Sequence, residues 1–147
     1  MGSQLIFDQK ERVGDWVAEQ TEQLVTWGDF YAMGVERNGE IIAGTVFNNF
    51  NHSNAYQHIA VAKVTKQLPM MLAHGFAYAF LQCRLNRLTV AIEDDNAKSL
   101  KLARHAGYVD EFVMPKAGSS GQDMIFMVMW PDQCRWLKVF DNEYAPL

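Results

Sequence analysis

Few side chains in this sequence have the type and setting to move a proton or attack a carbonyl carbon. His58 is the best placed. It lies in the run from Tyr56 to Val61, YQHIAV, whose alternation puts Tyr56, His58 and Ala60 on one strand face and Gln57, Ile59 and Val61 on the other. An imidazole with its ordinary pKa of about 6.5 accepts protons near neutrality, so His58 is a candidate general base. A lone strand histidine is also, and more often, a hydrogen-bonded structural residue. Glu93 and Asp94 are weaker candidates, since a solvated strand end explains them as well. Cys83 and Cys134 show no partner histidine by sequence and read as buried thiols rather than nucleophiles. They are too few and too far apart for a zinc site.

These groups need elements to hold them, and the most legible stretch is Arg87 to Tyr108, RLTVAIEDDNAKSLKLARHAGY. Leu88 to Ile92 form an apolar run suited to a buried strand. Asp94, Asp95 and Asn96 break it and offer an N-cap. Leu100, Ala103 and Ala106 then share a helical face, Gly107 supplies a left-handed stop, and Tyr108 opens another strand. Earlier, Leu68, Met71, Leu72, Gly75, Phe76, Ala79 and Phe80 recur at helical spacing, with Pro69 fixing the start near Thr65 to Leu68. That stripe reads as core.

The remaining elements follow in order. Leu5 to Phe7 read as an edge strand, and Asp8 with Glu11 as a capping box. A helix is expected from Gln9 toward Gln23, with Val13, Trp16 and Val17 on its inner face. Leu24 to Asp29 leave room for a second short helix, and Trp27 and Phe30 sit in that link. Tyr31 to Arg37 and Glu40 to Phe50 are strands joined by Asn38-Gly39, the strongest short hairpin signal. Val109 to Met114 and Gln122 to Met129 are the last strands, with a Gly/Ser turn from Lys116 to Gly121 between them.

The 147 residues suit one domain, residues 1–147, with a sizeable core. A net charge of -4 gives no electrostatic footprint for nucleic acid. No apolar run reaches the length of a membrane span, and the start lacks the layout of a signal peptide. With two thiols, this favours a reducing, cytoplasmic setting.

The stretch built on Asn96, Ser99, Gly107 and Tyr108 resembles the GNAT superfamily of acetyl-CoA-dependent N-acetyltransferases in residue order and spacing. So does the element order: strand and helix, three strands, helix, strand, helix, two strands. The resemblance implies an α/β fold, with a mixed, strongly twisted sheet of about six to seven strands and helices on both faces. The ending MIFMVMWPDQCRW is also similar to the tail of small phage-borne acetyltransferases.

What the resemblance implies for function is transfer of an acetyl group from acetyl-CoA to an amine of a protein or small molecule, by direct attack and without a metal. A host protein is among the acceptors allowed, and the chain would be a monomer or homodimer. Ile59, Ala60 and Val61 would hold the pantetheine arm through backbone groups. The stretch from Ala62 to Gln67 would be the phosphate loop, with Thr65, Lys66, Gln67 and Leu68 supplying amides at a helix N-terminus and Lys63 or Lys66 adding charge. The family's loop glycines are missing here. Asn96 and Ser99 would reach the cofactor, although a plain N-cap explains Asn96 equally well. The family's general-acid tyrosine is replaced by Ala103, leaving Tyr108 as a catalytic candidate that is more often a packing residue. These departures sustain an alternative: a GNAT-fold binding module, weak or inactive in catalysis, that docks on and modulates a partner.

Overall fold

Asn38 and Gly39 take φ values of +54° and +79°, the paired left-handed conformations of a type I′ turn. They join β2 (Phe30–Arg37) to β3 (Glu40–Asn48) as a hairpin. Around it, the computed structural model, which describes residues 2–22 and 26–140, builds a mixed sheet. The other strands are β1 (Gln4–Ile6), β4 (Asn54–Val61), β5 (Arg87–Glu93), β6 (Val109–Met114) and β7 (Met124–Met129). Among the described residues the seven strands run β1-β2-β3-β4-β5-β7-β6. Of these strand pairs, β4–β5 is parallel and the other five are antiparallel. The strand count and element order are those expected from the sequence.

Helices α1 (Lys10–Gln20), α2 (Leu68–Ala77) and α3 (Ala97–Ala106) cover the sheet unevenly. α1 lies on the face that carries Ala32, Val46 and Ala60, with Val13 and Val17 fully buried and Trp16 half-buried against them. Its seat is a pair of glycines in register, Gly34 and Gly44. A Cβ on Gly44 would come within 2.9 Å of Val17 Cγ2 and 3.1 Å of Val13 Cγ1. Gly44→Ala should therefore push α1 off the sheet and cost about 1–3 kcal/mol in denaturant unfolding. An unchanged midpoint would show that the helix shifts freely.

α2 and α3 cover the opposite face. There Phe47, Leu72, Phe76, Leu88, Val90, Leu100, Ala103 and Met127 form the main core. Past Ala77, α2 widens into a π-helical turn, Tyr78–Gln82. At the far end of α3, Gly107 takes φ +114°, and the tail closes over the helix: Arg135 donates to His105 O and Trp136 Nε1 to Ala106 O.

Several local expectations are corrected. The capping residue of α1 is Gln9, with no side-chain cap, so Asp8 and Glu11 do not form a box. α1 stops at Gln20; Gln23 and Leu24 lie outside the described residues. Residues 26–29 are not helical, because Trp27 is pinned by donating its indole N–H to Gly14 O. β3 ends at Asn48 rather than Phe50, and β4 starts earlier, at Asn54, where Asn51 Oδ1 accepts from the N–H groups of Ser53 and Asn54.

Candidate active site

β4 and β5 pair over three positions only: Asn54 with Arg87, Ala55 with Leu88 and Tyr56 with Thr89. Beyond Tyr56 the strands part, while β4 stays paired with β3 as far as Val61. Strand alternation decides which backbone groups face the gap. Ala62 N–H donates to Ile42 O on the β3 side. Val61 O instead accepts from Lys98 Nζ on α3 at 3.1 Å. By the same alternation Ile59 faces the gap with Val61, and the backbone of Ala60 faces β3. Of the three residues expected to offer backbone contacts, two thus face the gap, and the carbonyl of Val61 there is already taken by Lys98.

His58 stands beside this gap on the α1 face. Its Nε2 lies 2.9 Å from Asn48 Oδ1, and Asn48 Nδ2 donates to Trp27 O at 3.2 Å. That second bond fixes the amide orientation, so Asn48 presents an oxygen and the histidine must donate from Nε2. The lone pair is then on Nδ1. The Trp27 ring packs over the imidazole with centroids 4.7 Å apart. Burial lowers the pKa of His58 to about 4, so the ring is neutral at physiological pH.

Tyr108 sits elsewhere. It is 2% exposed, on the α2 and α3 face, with its hydroxyl donating to Gln57 Oε1 at 2.5 Å. Gln57 Nε2 donates onward to Thr45 Oγ1, which donates to His58 O. Burial raises the phenol pKa well above its usual value. This buried polar chain braces β4 from beneath.

The segment before α2 is short of free amides. Gln67 N–H donates to Thr65 Oγ1 and Leu68 N–H to Thr65 O. Pro69 has no N–H to offer. Thr65 is buried and also bonds Ser3 Oγ at 2.8 Å. Lys63 and Lys66 are exposed, and Lys63 makes a long ion pair with Glu40, 3.9 Å.

Asn96 caps α3, its Oδ1 accepting from Ser99 N–H at 3.1 Å. Glu93 accepts from the backbone and hydroxyl of Ser119 and from Gln122, which together hold its carboxyl below the usual range. Asp94 is exposed. Cys134 is buried, which pushes its thiol up to about 11. Among the described residues, no group of three or more His, Cys, Asp or Glu side chains is placed to hold a metal ion.

Sequence reasoning passed over Asn48, Gln57, Thr45 and Lys98. Asn48 had a signal: it shares a strand face with buried Val46, where a polar residue needs a partner. Lys98 had one too, a cation in the first turn of a helix, where the dipole disfavours it.

No protein-family model matches the sequence, and comparison with curated proteins finds no significant match. Solved structures do match. YncA of Salmonella typhimurium, described as a candidate acetyltransferase and solved with its cofactor acetyl-CoA, is 18% identical, with a TM-score of 0.70 over 88% of this chain and 94% of that one. The N152L variant of the spermidine N-acetyltransferase SpeG from Vibrio cholerae is 14% identical, with a TM-score of 0.71 over 93% and 97%. A dodecameric structure of spermidine N-acetyltransferase from Vibrio cholerae gives 13% identity and a TM-score of 0.69 over 87% and 93%. The fold is that of the GNAT N-acetyltransferases.

Proposed function

We propose that the protein is an acetyl-CoA-dependent N-acetyltransferase acting by direct attack of an amine on the thioester. The observation that carries this reading is the parting of β4 from β5 with a neutral histidine beside the opening. The shared fold supports it, as does the acetyl-CoA held by the YncA structure. The likeness of the tail to small phage-borne acetyltransferases rests on sequence resemblance alone.

In this reading Ile59 and Val61 hold the pantetheine arm through backbone groups, and Lys98 must release Val61 O to admit it. Asn96 keeps its cap through Oδ1 and has its amide nitrogen for the arm; Ser99 flanks it. The amine nitrogen forms the new bond to carbon, the C–S bond breaks, and the surplus nitrogen proton leaves through His58 Nδ1 toward the departing thiolate. A base with a pKa of about 4 is too weak to strip a free ammonium. The amine therefore arrives neutral, and His58 takes the proton only after attack has made that nitrogen acidic.

One observation favours the docking-module alternative: the amides of Gln67 and Leu68 are already bonded within the loop. Coenzyme A separates the readings in part. Millimolar coenzyme A should raise the melting temperature by linkage, and Lys63→Ala or Lys66→Ala should weaken that shift mainly at low salt. No shift would remove the cofactor reading. Mass spectrometry of amines incubated with labelled acetyl-CoA then tests turnover directly.

A further inference from the structure

Among the described residues on the α1 face of the sheet, Ala91 of β5 and Phe112 of β6 are exposed while Thr89 and Val128 beside them are buried, and the register of these strands shows what lies beside His58. His58 is two residues past Tyr56 on β4, and Ala91 is two residues past Thr89, the partner of Tyr56, on β5. The two residues therefore stand level across the gap and on the same face. The row continues from Ala91 to Phe126 on β7 and from Phe126 to Phe112 on β6. Ala91 is exposed, Phe126 is half-buried and Phe112 is 48% exposed. The two phenyl rings stack 4.5 Å apart and within 8° of parallel.

Polar groups border the stretch of this row from Ala91 to Phe112. On one side Arg87 grips Glu111 through two hydrogen bonds, 3.0 and 2.6 Å, and also reaches Thr89. On the other, Glu93 is bonded by Ser119 and Gln122. Both carboxylates bordering the row are engaged within the chain. What remains beside the histidine is a small apolar floor, Ala91, ending in an aromatic wall.

Resting on the transferase reading, we infer that this row is the acceptor subsite and that its acceptor is a primary amine on a short aliphatic arm carrying an aromatic ring, with no second cationic centre. The amine reaches the gap beside His58, the arm crosses Ala91, and the ring lies against Phe126 and Phe112. Burial of a ring in an offset stack supplies the preference. A polyamine would lay its remaining charges on an apolar floor, where desolvating them is costly.

The test compares tryptamine, methylamine and spermidine as acceptors for the full chain with acetyl-CoA. Tryptamine should exceed spermidine in kcat/KM by at least about tenfold, the scale on which apolar subsites discriminate. Ala91→Leu fills an exposed position and should lower kcat/KM for tryptamine about tenfold or more, with methylamine affected far less. A spermidine preference, or an equal loss for all amines, overturns the inference and leaves the transferase reading standing. An NMR titration with tryptamine reads binding without turnover. Its shifts should centre on Ala91, Phe112 and Phe126 and weaken in Ala91→Leu. If they do so while no amine is acetylated, the subsite stands and the transferase reading falls. Shifts confined to other elements overturn the subsite.

Discussion

His58→Gln is expected to lower kcat by about 10²-fold, the lower end of the range for a lost general base. The low end applies because a base so far below neutrality takes its proton late. Coenzyme A affinity should not change, since in this reading the backbone of Ile59 and Val61, and not the imidazole, holds the pantetheine arm. The glutamine amide can still donate to Asn48 Oδ1, so the fold survives. Burial also moves the pH profile. The sequence suggests an acidic limb near pH 6–7, but with His58 at about 4 the wild-type kcat should stay level through that range. A limb near pH 6.5 that vanished in His58→Gln would refute the buried-ring account.

The same shift predicts a stability effect. The unfolded chain protonates His58 at about 6.5, whereas the folded chain resists until about 4. The folded pKa is depressed, so the unfolded state binds more protons between these values. The stability contribution is complete above about pH 6.5 and is lost as pH falls toward 4. At about 1.4 kcal/mol per unit, the full loss is about 3 kcal/mol. Urea unfolding across this window should show His58→Gln losing stability less steeply than wild type. Parallel losses would mean the ring is not buried as described.

Tyr108→Phe is expected to cost about 1–3 kcal/mol, because Gln57 Oε1 is left in the core without its donor. Gln57 is only 3% exposed, so water does not replace the hydroxyl. Gln57→Leu strands the Tyr108 hydroxyl instead and should cost a similar amount. The double variant removes both polar partners and should cost less than the sum. Additive penalties in urea unfolding would show that the bond contributes nothing. Turnover of folded Tyr108→Phe should stay near wild type, since the hydroxyl is committed to Gln57 inside the sheet. A large fall in kcat with intact stability would return Tyr108 to the reaction.

Some features were legible because the forces that make them are local. Asn38-Gly39 specifies its turn through the φ values only such residues adopt readily, +54° and +79° here. Asn96 caps the residues next to it, Gly107 ends α3 by its own conformation, and Pro69 can stand only in a first turn. The alternation of β4 put His58 and Gln57 on opposite faces correctly, because pleating has a fixed period. Where a local signal had a tertiary competitor, it failed. Asp8 and Glu11 spell a capping box, yet α1 begins one residue later, seated on Gly34 and Gly44.

The sequence by itself determined the order of strands and helices, the β2–β3 turn, the two ends of α3, and the face each side chain of β4 takes. Only the tertiary structure decided what those faces meet. The parting of β4 from β5 after Tyr56 arises between segments more than thirty residues apart, and no periodicity records it. The pKa of His58 depends on Trp27 and Asn48 closing around the ring, so its type suggested about 6.5 and its burial sets about 4. The row from Ala91 to Phe112 exists because β7 inserts between β5 and β6, a pairing that strand propensities do not encode. Periodicity is a property of the chain; burial and adjacency are properties of the packed molecule, and the chemistry proposed here depends on both.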